Sequence, residues 1–207
     1  MRQLSALPRA FFADHPVVVA RHLLGQRLVR RLDGELLVGR IVEAEAYGAA
    51  EDSTSHGFRG PGGRANGMFT SVGRAYVYLI YGMHHCLNVV AHVEPGAGAV
   101  LIRAIAPEAG VEVMRARRGG VADVRVGSGP GRLCAALAID RTLDGHDLCD
   151  ETGPLFFAPG ADVRETAVRS GPRVGVRGRP ADVALPWRFY IRDEPNVSPG
   201  RQGTSRA

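Results

Sequence analysis

The chain has 207 residues, and its content of 45% apolar and 23% charged residues is that of an ordinary globular domain, not of a disordered chain or a coiled coil. The formal net charge is +5, and all 26 basic residues are arginine, which excludes any mechanism that depends on a lysine amine. No apolar run approaches the roughly 18 residues of a membrane span, no signal-peptide pattern opens the chain, and three widely spaced cysteines favour the reducing cytoplasm.

The first half of the chain predicts a helix, two β-hairpins and a long loop between the hairpins. The helix is expected at 17–24, and the strands at 26–31, 36–47, 75–81 and 84–92. Asp33-Gly34 marks the first hairpin turn, and Gly82 marks the second. Residues 48–67 are polar and rich in glycine, and a loop of this length inside a compact domain is usually functional.

The second half predicts further short strands and two helices. The strands are expected at 99–106, 155–157, 173–177 and 188–192, and the helices at 108–118 and 130–139. Together the elements predict an α+β fold with a mostly antiparallel sheet in a single domain over residues 1–198. Residues 199–207 are predicted to form a disordered tail.

The main chemical signal is a pair of carboxylates at the end of the second predicted strand. Glu43 and Glu45 alternate with alanines, so they share one strand face with Tyr47. On pattern alone a solvated strand face is the commoner explanation. The alternative is a carboxylate beside an aromatic ring and a long polar loop, where it can act as a general base or a metal ligand.

Tyrosine, glycine and arginine patterns add three further features. Tyr76 and Tyr78 share a strand face, whereas Tyr81 lies at a hairpin turn, where an exposed aromatic residue needs something to insert into. Residues 127–132 precede a predicted helix and can present backbone N–H groups to an anion. The surplus charge lies in residues 164–207, which hold 9 Arg against 4 Asp or Glu and favour a polyanionic partner.

Taken in chain order, these motifs resemble the alkyladenine (3-methyladenine) DNA glycosylase family. The matching stretches are 39–47, 51–52 with His56, 68–69, 75–83 with Cys86 and Asn88, 101–104, 129–134 with 136–139, 173–176 and 188–190. They cover nearly the whole chain, from about Phe12 to Ser198. Two departures bear on the range of lesions: Asn66 stands one place late after a shortened loop, and residues 177–179 differ from those of some relatives.

The resemblance implies a curved antiparallel sheet with a protruding hairpin that inserts into DNA, and an enzyme that hydrolyses the N-glycosidic bond of a flipped, damaged purine. Carried over by position, Glu45 is the residue that activates water, and Arg103 is its partner in holding that water. The implied base-pocket residues are Tyr47, His56, Tyr78 and Asn88. The implied DNA-intercalating residues are Tyr81 and Met83, and the candidate phosphate contacts are Arg64, Gly131 and Arg132.

The expected enzyme is a monofunctional DNA glycosylase that needs no cofactor or metal. Without lysine, and with Met1-Arg2 at its start, the chain is not expected to form the Schiff base through which other glycosylases cut the backbone. Its expected partner is double-stranded DNA that carries 3-methyladenine, 7-methylguanine, hypoxanthine or ethenoadenine, and its product is an abasic site in base excision repair. We expect a cytoplasmic, nucleoid-associated monomer that does not bind membranes.

Two other functions fit parts of the pattern. A metal-dependent nuclease could use the acidic residues Glu43, Glu45, Glu51 and Asp52, although His84-His85-Cys86 lacks metal-ligand spacing. A non-catalytic nucleic-acid-binding module could share the fold. Sensitivity to EDTA separates the first from a glycosylase, and a Glu45→Gln substitution separates the second.

Overall fold

The computed structural model describes residues 4–199, and every structural statement below concerns that part of the chain. Its strands are β1 (Arg27–Leu32), β2 (Glu35–Tyr47), β3 (Ala75–Ile80), β4 (His84–Val90), β5 (Ala99–Ala109), β6 (Leu155–Ala158), β7 (Val168–Gly171) and β8 (Arg188–Ile191). They form one open sheet of eight strands in the order β3-β4-β5-β2-β1-β6, with β8 paired to β2 and β7 to β8. Every pair is antiparallel. The predicted α+β class is confirmed, whereas the predicted tail lies, except for Pro199, outside the described residues.

Five short α-helices surround the sheet: α1 (Pro16–His22), α2 (Val111–Arg117), α3 (Asp123–Val126), α4 (Pro130–Ala136) and α5 (Pro180–Val183). Helix α1 packs on β2 and β5, and α4 packs on β4 and β5, so that the main apolar core lies between these helices and the sheet. Two 3₁₀ helices, His56–Arg59 and Gly63–Phe69, run through the long loop. Within residues 4–199 no helix combines the length and apolar character needed to cross a membrane.

The central strand β2 decides where the two predicted carboxylates lie. It pairs with β1 along its first half, with β5 along most of its length and with β8 at residues 43–45, so that both of its edges are paired around the carboxylates. Register shifts against β5 occur around Glu43, and such irregularities re-aim side chains locally. Glu43 and Glu45 have no exposed surface, so the solvated-face interpretation is wrong.

Both predicted hairpins are present, with two residues between the paired strands at the β1–β2 turn and three at the β3–β4 turn. The central residues of the β1–β2 turn, Asp33 and Gly34, have φ of 54° and 82°, and the corresponding Tyr81 and Gly82 of the β3–β4 turn have φ of 54° and 71°. Two successive positive φ angles are the requirement of a type I′ turn, whose twist matches that of the flanking strands. The two turns therefore share a pair of positive φ angles, on Asp-Gly in one and on Tyr-Gly in the other, although their lengths differ.

Three predicted elements differ from the observed ones. The helix expected at 108–118 begins only at Val111, because β5 continues to Ala109, and the helix expected at 130–139 ends at Ala136. The predicted strand at 173–177 is wrong, because Gly175 has a φ of 73°, which interrupts an extended strand. Besides β2, the strand that pairs with β8 is β7, which lies a few residues before the predicted strand.

Candidate active site

A cavity of about 640 Å³ opens between the β3–β4 hairpin, the long loop and residues 174–177. This volume lies in the usual range of roughly 300–1,000 Å³ for sites that bind small molecules. The cavity brings together seven of the residues singled out from the sequence: Tyr47, His56, Tyr78, Tyr81, Asn88, Arg103 and Gly131. Glu45 lies directly behind its wall, whereas Met83, Arg64 and Arg132 are not among its lining residues.

Glu45 is held beneath the cavity by three hydrogen-bond donors or cations. Its Oε1 accepts a hydrogen bond from the backbone N–H of Val174 at 2.7 Å and lies 3.3 Å from Nη1 of Arg103. Its Oε2 accepts a hydrogen bond from the hydroxyl of Tyr47 at 2.8 Å. All three partners line the cavity, so Glu45 is separated from the cavity only by the groups that bind it.

Arg103 links Glu45 to the second carboxylate of β2. Its Nε donates to Oε1 of Glu43 at 3.1 Å, and its Nη2 donates to Oγ of Ser198 at 3.2 Å. Glu43 also accepts hydrogen bonds from Nε of Arg188 at 2.6 Å and from the backbone N–H of Ser198 at 2.7 Å. Burial by itself would lower the pKa of Arg103, but the charges of Glu45 and Glu43 raise it, so the guanidinium stays charged.

Aromatic rings form the wall of the cavity on the side of the long loop. The ring of His56 lies edge-on to Tyr78, with centroids 4.9 Å apart, and its Nδ1 is 2.7 Å from the hydroxyl of Tyr76. Burial and the nearby Arg64 lower the pKa of His56, so the imidazole is neutral at neutral pH. Gly67 packs against the face of Tyr76, where a Cβ would overlap the ring. The tyrosines are therefore positioned from two sides, by the 3₁₀ helices and by β3.

The back of the cavity is formed by β4 side chains that lie opposite these tyrosines. Asn88 pairs with Tyr76 in the β3–β4 register, and Cys86 pairs with Tyr78. Asn88 is buried and its Nδ2 donates to the backbone oxygen of Tyr76 at 3.0 Å. Burial raises the pKa of the Cys86 thiol to about 11, so this group is an uncharged wall residue at neutral pH.

The tip of the β3–β4 hairpin projects from the mouth of the cavity. Tyr81 is 83% exposed and Met83 is 70% exposed, the two largest exposures among the large apolar side chains of residues 4–199. Tyr81 also holds a positive φ, which costs energy for any residue with a Cβ other than Asn or Asp. The backbone conformation and the exposure of Tyr81 both cost free energy in the folded protein. Such a residue indicates a functional role and not a contribution to stability.

The three candidate phosphate contacts lie around this mouth. Cζ of Arg64 is 5.3 Å from the centroid of the Tyr78 ring, and Nη1 of Arg132 donates to the backbone oxygen of Ser128. Gly131 packs against His84, so that a Cβ there would lie only 3.1 Å from Cβ of that histidine. Within residues 4–199 no carboxylate forms an ion pair with Arg64, Arg132 or the cavity residue Arg177.

Several of the arginines in residues 164–207 form ion pairs with carboxylates of the protein itself. Arg173 pairs with Asp52, Arg179 with Asp182 and Arg188 with Glu43. Two of these arginines, Arg173 and Arg188, are buried. The expectation that this part of the chain grips a polyanion therefore applies to the remaining, exposed arginines.

The acidic residues that suggested a metal site do not converge. Asp52 forms an ion pair with Arg173, and Glu51 is exposed and accepts a hydrogen bond from the backbone N–H of Ala49. Glu43 and Glu45 both form ion pairs with Arg103. Residues 4–199 contain no group of three or more His, Cys, Asp or Glu side chains arranged to hold a metal ion. The shifted Asn66 lies exposed on the 3₁₀ helix Gly63–Phe69, beside a smaller cavity that also includes Arg64.

Three residues of the site were missed by sequence reasoning. Tyr76 belongs to a buried cluster with Met68, Val90 and Ala99, and it also lines the cavity and contacts His56. Val174 acts through its backbone N–H, which no side-chain pattern reveals. Arg173 looked like part of a strand, and only its long-range pairing with Asp52, 121 residues away, shows that it belongs to the site.

The chain matches a known family over most of its length. Residues 10–195 match the family described as methylpurine-DNA glycosylase (MPG). A relative from Herpetosiphon aurantiacus is 44% identical over 199 residues, which are 95% of this chain and 90% of the relative. A relative from Streptomyces avermitilis is 44% identical over 202 residues (97% and 94%), and one from Carboxydothermus hydrogenoformans is 43% identical over 194 residues (93% and 98%). All three carry the name "Putative 3-methyladenine DNA glycosylase".

Proposed function

The chain belongs to the methylpurine-DNA glycosylase family, whose members are hydrolases of the N-glycosidic bond, and we propose that it removes alkylated and deaminated purines from duplex DNA. The proposed lesions are 3-methyladenine, 7-methylguanine, hypoxanthine and ethenoadenine, and the proposed product is an intact abasic site. The observation that carries the proposal is a buried carboxylate–arginine pair, Glu45 and Arg103, behind an aromatic-walled cavity with an exposed tyrosine at its mouth.

The hairpin tip supports a step in which the damaged nucleotide leaves the helix. Flipping a base out of the stack costs a few kcal/mol, and a side chain that fills the gap offsets part of that cost. Tyr81, with Met83 beside it, is the exposed apolar group available for this insertion. The arginines at the cavity mouth, Arg64 and Arg132, together with the backbone at Gly131, can contact the flanking phosphates.

The aromatic wall supports recognition of the flipped base. Stacking on an aromatic side chain contributes about 1–3 kcal/mol per base. A purine alkylated at N3 or N7 carries a positive charge, and attraction to the faces of Tyr47 and Tyr78 adds roughly 0.5–2 kcal/mol. Asn88, at the back of the cavity, can distinguish purines by their exocyclic substituents.

The chemical step follows the logic of glycoside hydrolysis, in which positive charge develops on the sugar. A water molecule held by Glu45 and Arg103 attacks C1′ and gives a proton to Glu45, while the bonding electrons leave with the purine. A cationic base departs as a neutral molecule, whereas neutral hypoxanthine must gain a proton. Since Glu45 has no exposed surface in the free protein, the water must pass between its partners Tyr47, Arg103 and Val174.

The absence of lysine from the sequence supports a monofunctional enzyme. Strand cleavage by a glycosylase usually proceeds through a Schiff base with an amine, and this sequence offers no lysine amine. We expect borohydride to trap no covalent complex with DNA; a trapped adduct would contradict this part of the proposal. We also propose that the enzyme acts as a monomer on nucleoid DNA.

The test is single-turnover cleavage of a duplex that carries one lesion, with EDTA present and hot alkali used to reveal abasic sites. Alkali-dependent breaks at hypoxanthine or 1,N6-ethenoadenine, or at 3-methyladenine or 7-methylguanine, are the expected result. Loss of activity in EDTA would favour a metal-dependent nuclease. Intact strands with every lesion would favour a module that only binds DNA.

A further inference from the structure

The ion pair between Arg173 and Asp52 is buried next to the cavity without touching it. Both side chains have no exposed surface, and the pair is bidentate, with Nη1–Oδ2 at 2.5 Å and Nη2–Oδ1 at 3.0 Å. Neither residue is among those that line the cavity. A buried ion pair gives little net stability, because the cost of removing two charges from water cancels most of their attraction. Its presence here therefore calls for a role other than stability.

Arg173 holds two of the three groups that bind Glu45. It directly precedes Val174, whose N–H donates to Oε1 of Glu45. Its Cζ lies 4.9 Å from the centroid of the Tyr47 ring, and the hydroxyl of Tyr47 donates to Oε2 of Glu45. Its Nη1 also donates to the backbone oxygen of Ala46, the residue between Glu45 and Tyr47, at 2.9 Å.

The segment that carries Val174 depends on this pair for its position. Residues 172–179 contain no helix or strand, so no ladder of backbone hydrogen bonds fixes them to the sheet. Arg173 anchors the part of the segment next to Val174: besides Asp52 and Ala46, it reaches the backbone oxygen of Asp182 at 3.0 Å, and its Cζ lies 5.0 Å from the centroid of Trp187. The far end of the segment is held separately, by hydrogen bonds of Arg179 to Ser53 and Glu51. Asp52 is fixed in turn by the N–H groups of Gly48 and Thr54 and by the hydroxyl of Thr54.

We propose that Arg173 and Asp52 are a positioning pair that holds the Val174 N–H and the Tyr47 hydroxyl on Glu45, and so sets the orientation of the carboxylate toward the attacking water. This inference rests on the proposed function, because it assigns the pair to the water-activating step. Burial by itself would raise the pKa of Asp52, but hydrogen bonds from Arg173, Thr54 and Gly48 and the charge of Arg173 together lower it, which keeps the pair ionised at neutral pH. The pair orients Glu45 before the water attacks, and it is not expected to contribute to DNA affinity.

The first test compares Asp52→Asn with wild type in single-turnover cleavage at saturating protein. Because a displacement of about 1 Å can cost up to 10²-fold in rate, we expect a loss of at least about 10-fold, with lesion-duplex affinity unchanged within about twofold. Arg27→Gln is the control, since it breaks a partly buried ion pair with Glu108 that touches none of Arg173, Asp52 and Val174, and its rate should equal that of wild type. An equal loss in the control, or none in Asp52→Asn, would overturn the proposal.

A second comparison separates positioning of Glu45 from general damage to the fold. In a Glu45→Gln background, Asp52→Asn should reduce the rate no further, because the group on which it acts has already been removed. A structural defect would instead slow both backgrounds by the same factor, and that result would contradict the proposal. Val29→Ala, in the separate apolar cluster with Val38 and Phe156, supplies a destabilised control whose rate should be normal.

A third measurement does not depend on activity. The Val174 amide proton, held by Glu45 in the wild type, should exchange with solvent at least about 10-fold faster in Asp52→Asn, while core amides of β5 keep their protection. Unchanged exchange at Val174 would exclude the positioning role even if the enzyme were active. Conversely, faster exchange in a protein that cleaves no lesion would uphold the positioning of Glu45 and refute only the proposed reaction.

Discussion

The floor and the tip of the candidate active site are built in opposite ways. At the floor, Glu43, Glu45 and Arg103 are almost completely buried, and every carboxylate oxygen has a partner within 3.3 Å. At the tip, Tyr81 and Met83 are 83% and 70% exposed. Both regions belong to one sheet, and β4 and β5 connect them.

The floor carries the free-energy cost of buried charge, whereas the tip carries the cost of an exposed apolar side chain on a strained backbone. The floor retains charges that burial disfavours, and it compensates with a closed network of hydrogen bonds. The tip retains an apolar side chain on a backbone that suits Asp, Asn or Gly better, and nothing in residues 4–199 covers it. Changes at the floor should therefore affect stability and chemistry together, whereas changes at the tip should weaken DNA retention without harming the fold.

The largest effect is expected when the cation of the floor is removed. Arg103→Gln leaves Glu45 buried without its arginine, and breaking a buried pair in this way typically costs about 3–5 kcal/mol of the free energy of unfolding. Arg9→Gln breaks a partly exposed pair with Asp147 and should cost less than about 1 kcal/mol. Urea unfolding of both variants measures the difference, and similar losses would show that the floor is not specially dependent on its charges.

The next largest effect separates chemistry from binding at the floor. Glu45→Gln keeps the shape of the side chain but removes the proton acceptor, and we expect single-turnover cleavage to fall at least about 10²-fold. Lesion-duplex affinity should stay close to that of wild type. Glu35→Gln, an exposed glutamate at the β1–β2 turn, is the control with normal activity. A Glu45 variant that cleaves at the wild-type rate would leave the binding-module alternative.

A substitution at the tip should move stability and function in opposite directions. Tyr81→Asn converts the β3–β4 turn to Asn-Gly, the favoured type I′ pair, and should raise the free energy of unfolding by about 1 kcal/mol. Loss of the stacking ring should weaken affinity for a lesion duplex about 10-fold. Asp33→Asn, at the turn with the same φ of 54°, should change neither quantity. A Tyr81 variant that retains full affinity would remove the insertion role.

The smallest expected effect concerns the wall between floor and tip. Burial and Arg64 hold the pKa of His56 below its ordinary value of 6.5, so the folded protein binds this proton less readily than the unfolded chain. At neutral pH His56 therefore does not lower the free energy of unfolding, but it lowers that free energy as the pH falls below about 6.5. Arg64→Gln should raise the pKa of His56 in an NMR titration and lessen that loss. An unchanged titration would show that burial alone sets it.

Sequence reasoning recovered the fold class from short-range patterns, and patterns together with the family resemblance named seven of the residues that line the cavity. Period-two alternation placed Glu43, Glu45 and Tyr47 on one strand face, and Asp33-Gly34 identified a turn. It failed at residues 173–177, where alternating apolar residues suggested a strand that the left-handed Gly175 interrupts. It also misjudged the exposure of Glu43 and Glu45, because burial depends on β5 and β8, which are distant in the chain.

What the sequence by itself determined is the set of chemical groups and their local spacing: an all-arginine chain, two carboxylates on one strand and a tyrosine at a turn. What the tertiary structure decided is which groups meet. Arg103 reaches Glu45 across the β2–β5 ladder, Val174 donates to Glu45 from a segment 129 residues later, and Arg173 pairs with Asp52. Such contacts follow from strand order and register, which arise from the packing of the whole chain and leave no signal in any short stretch of it.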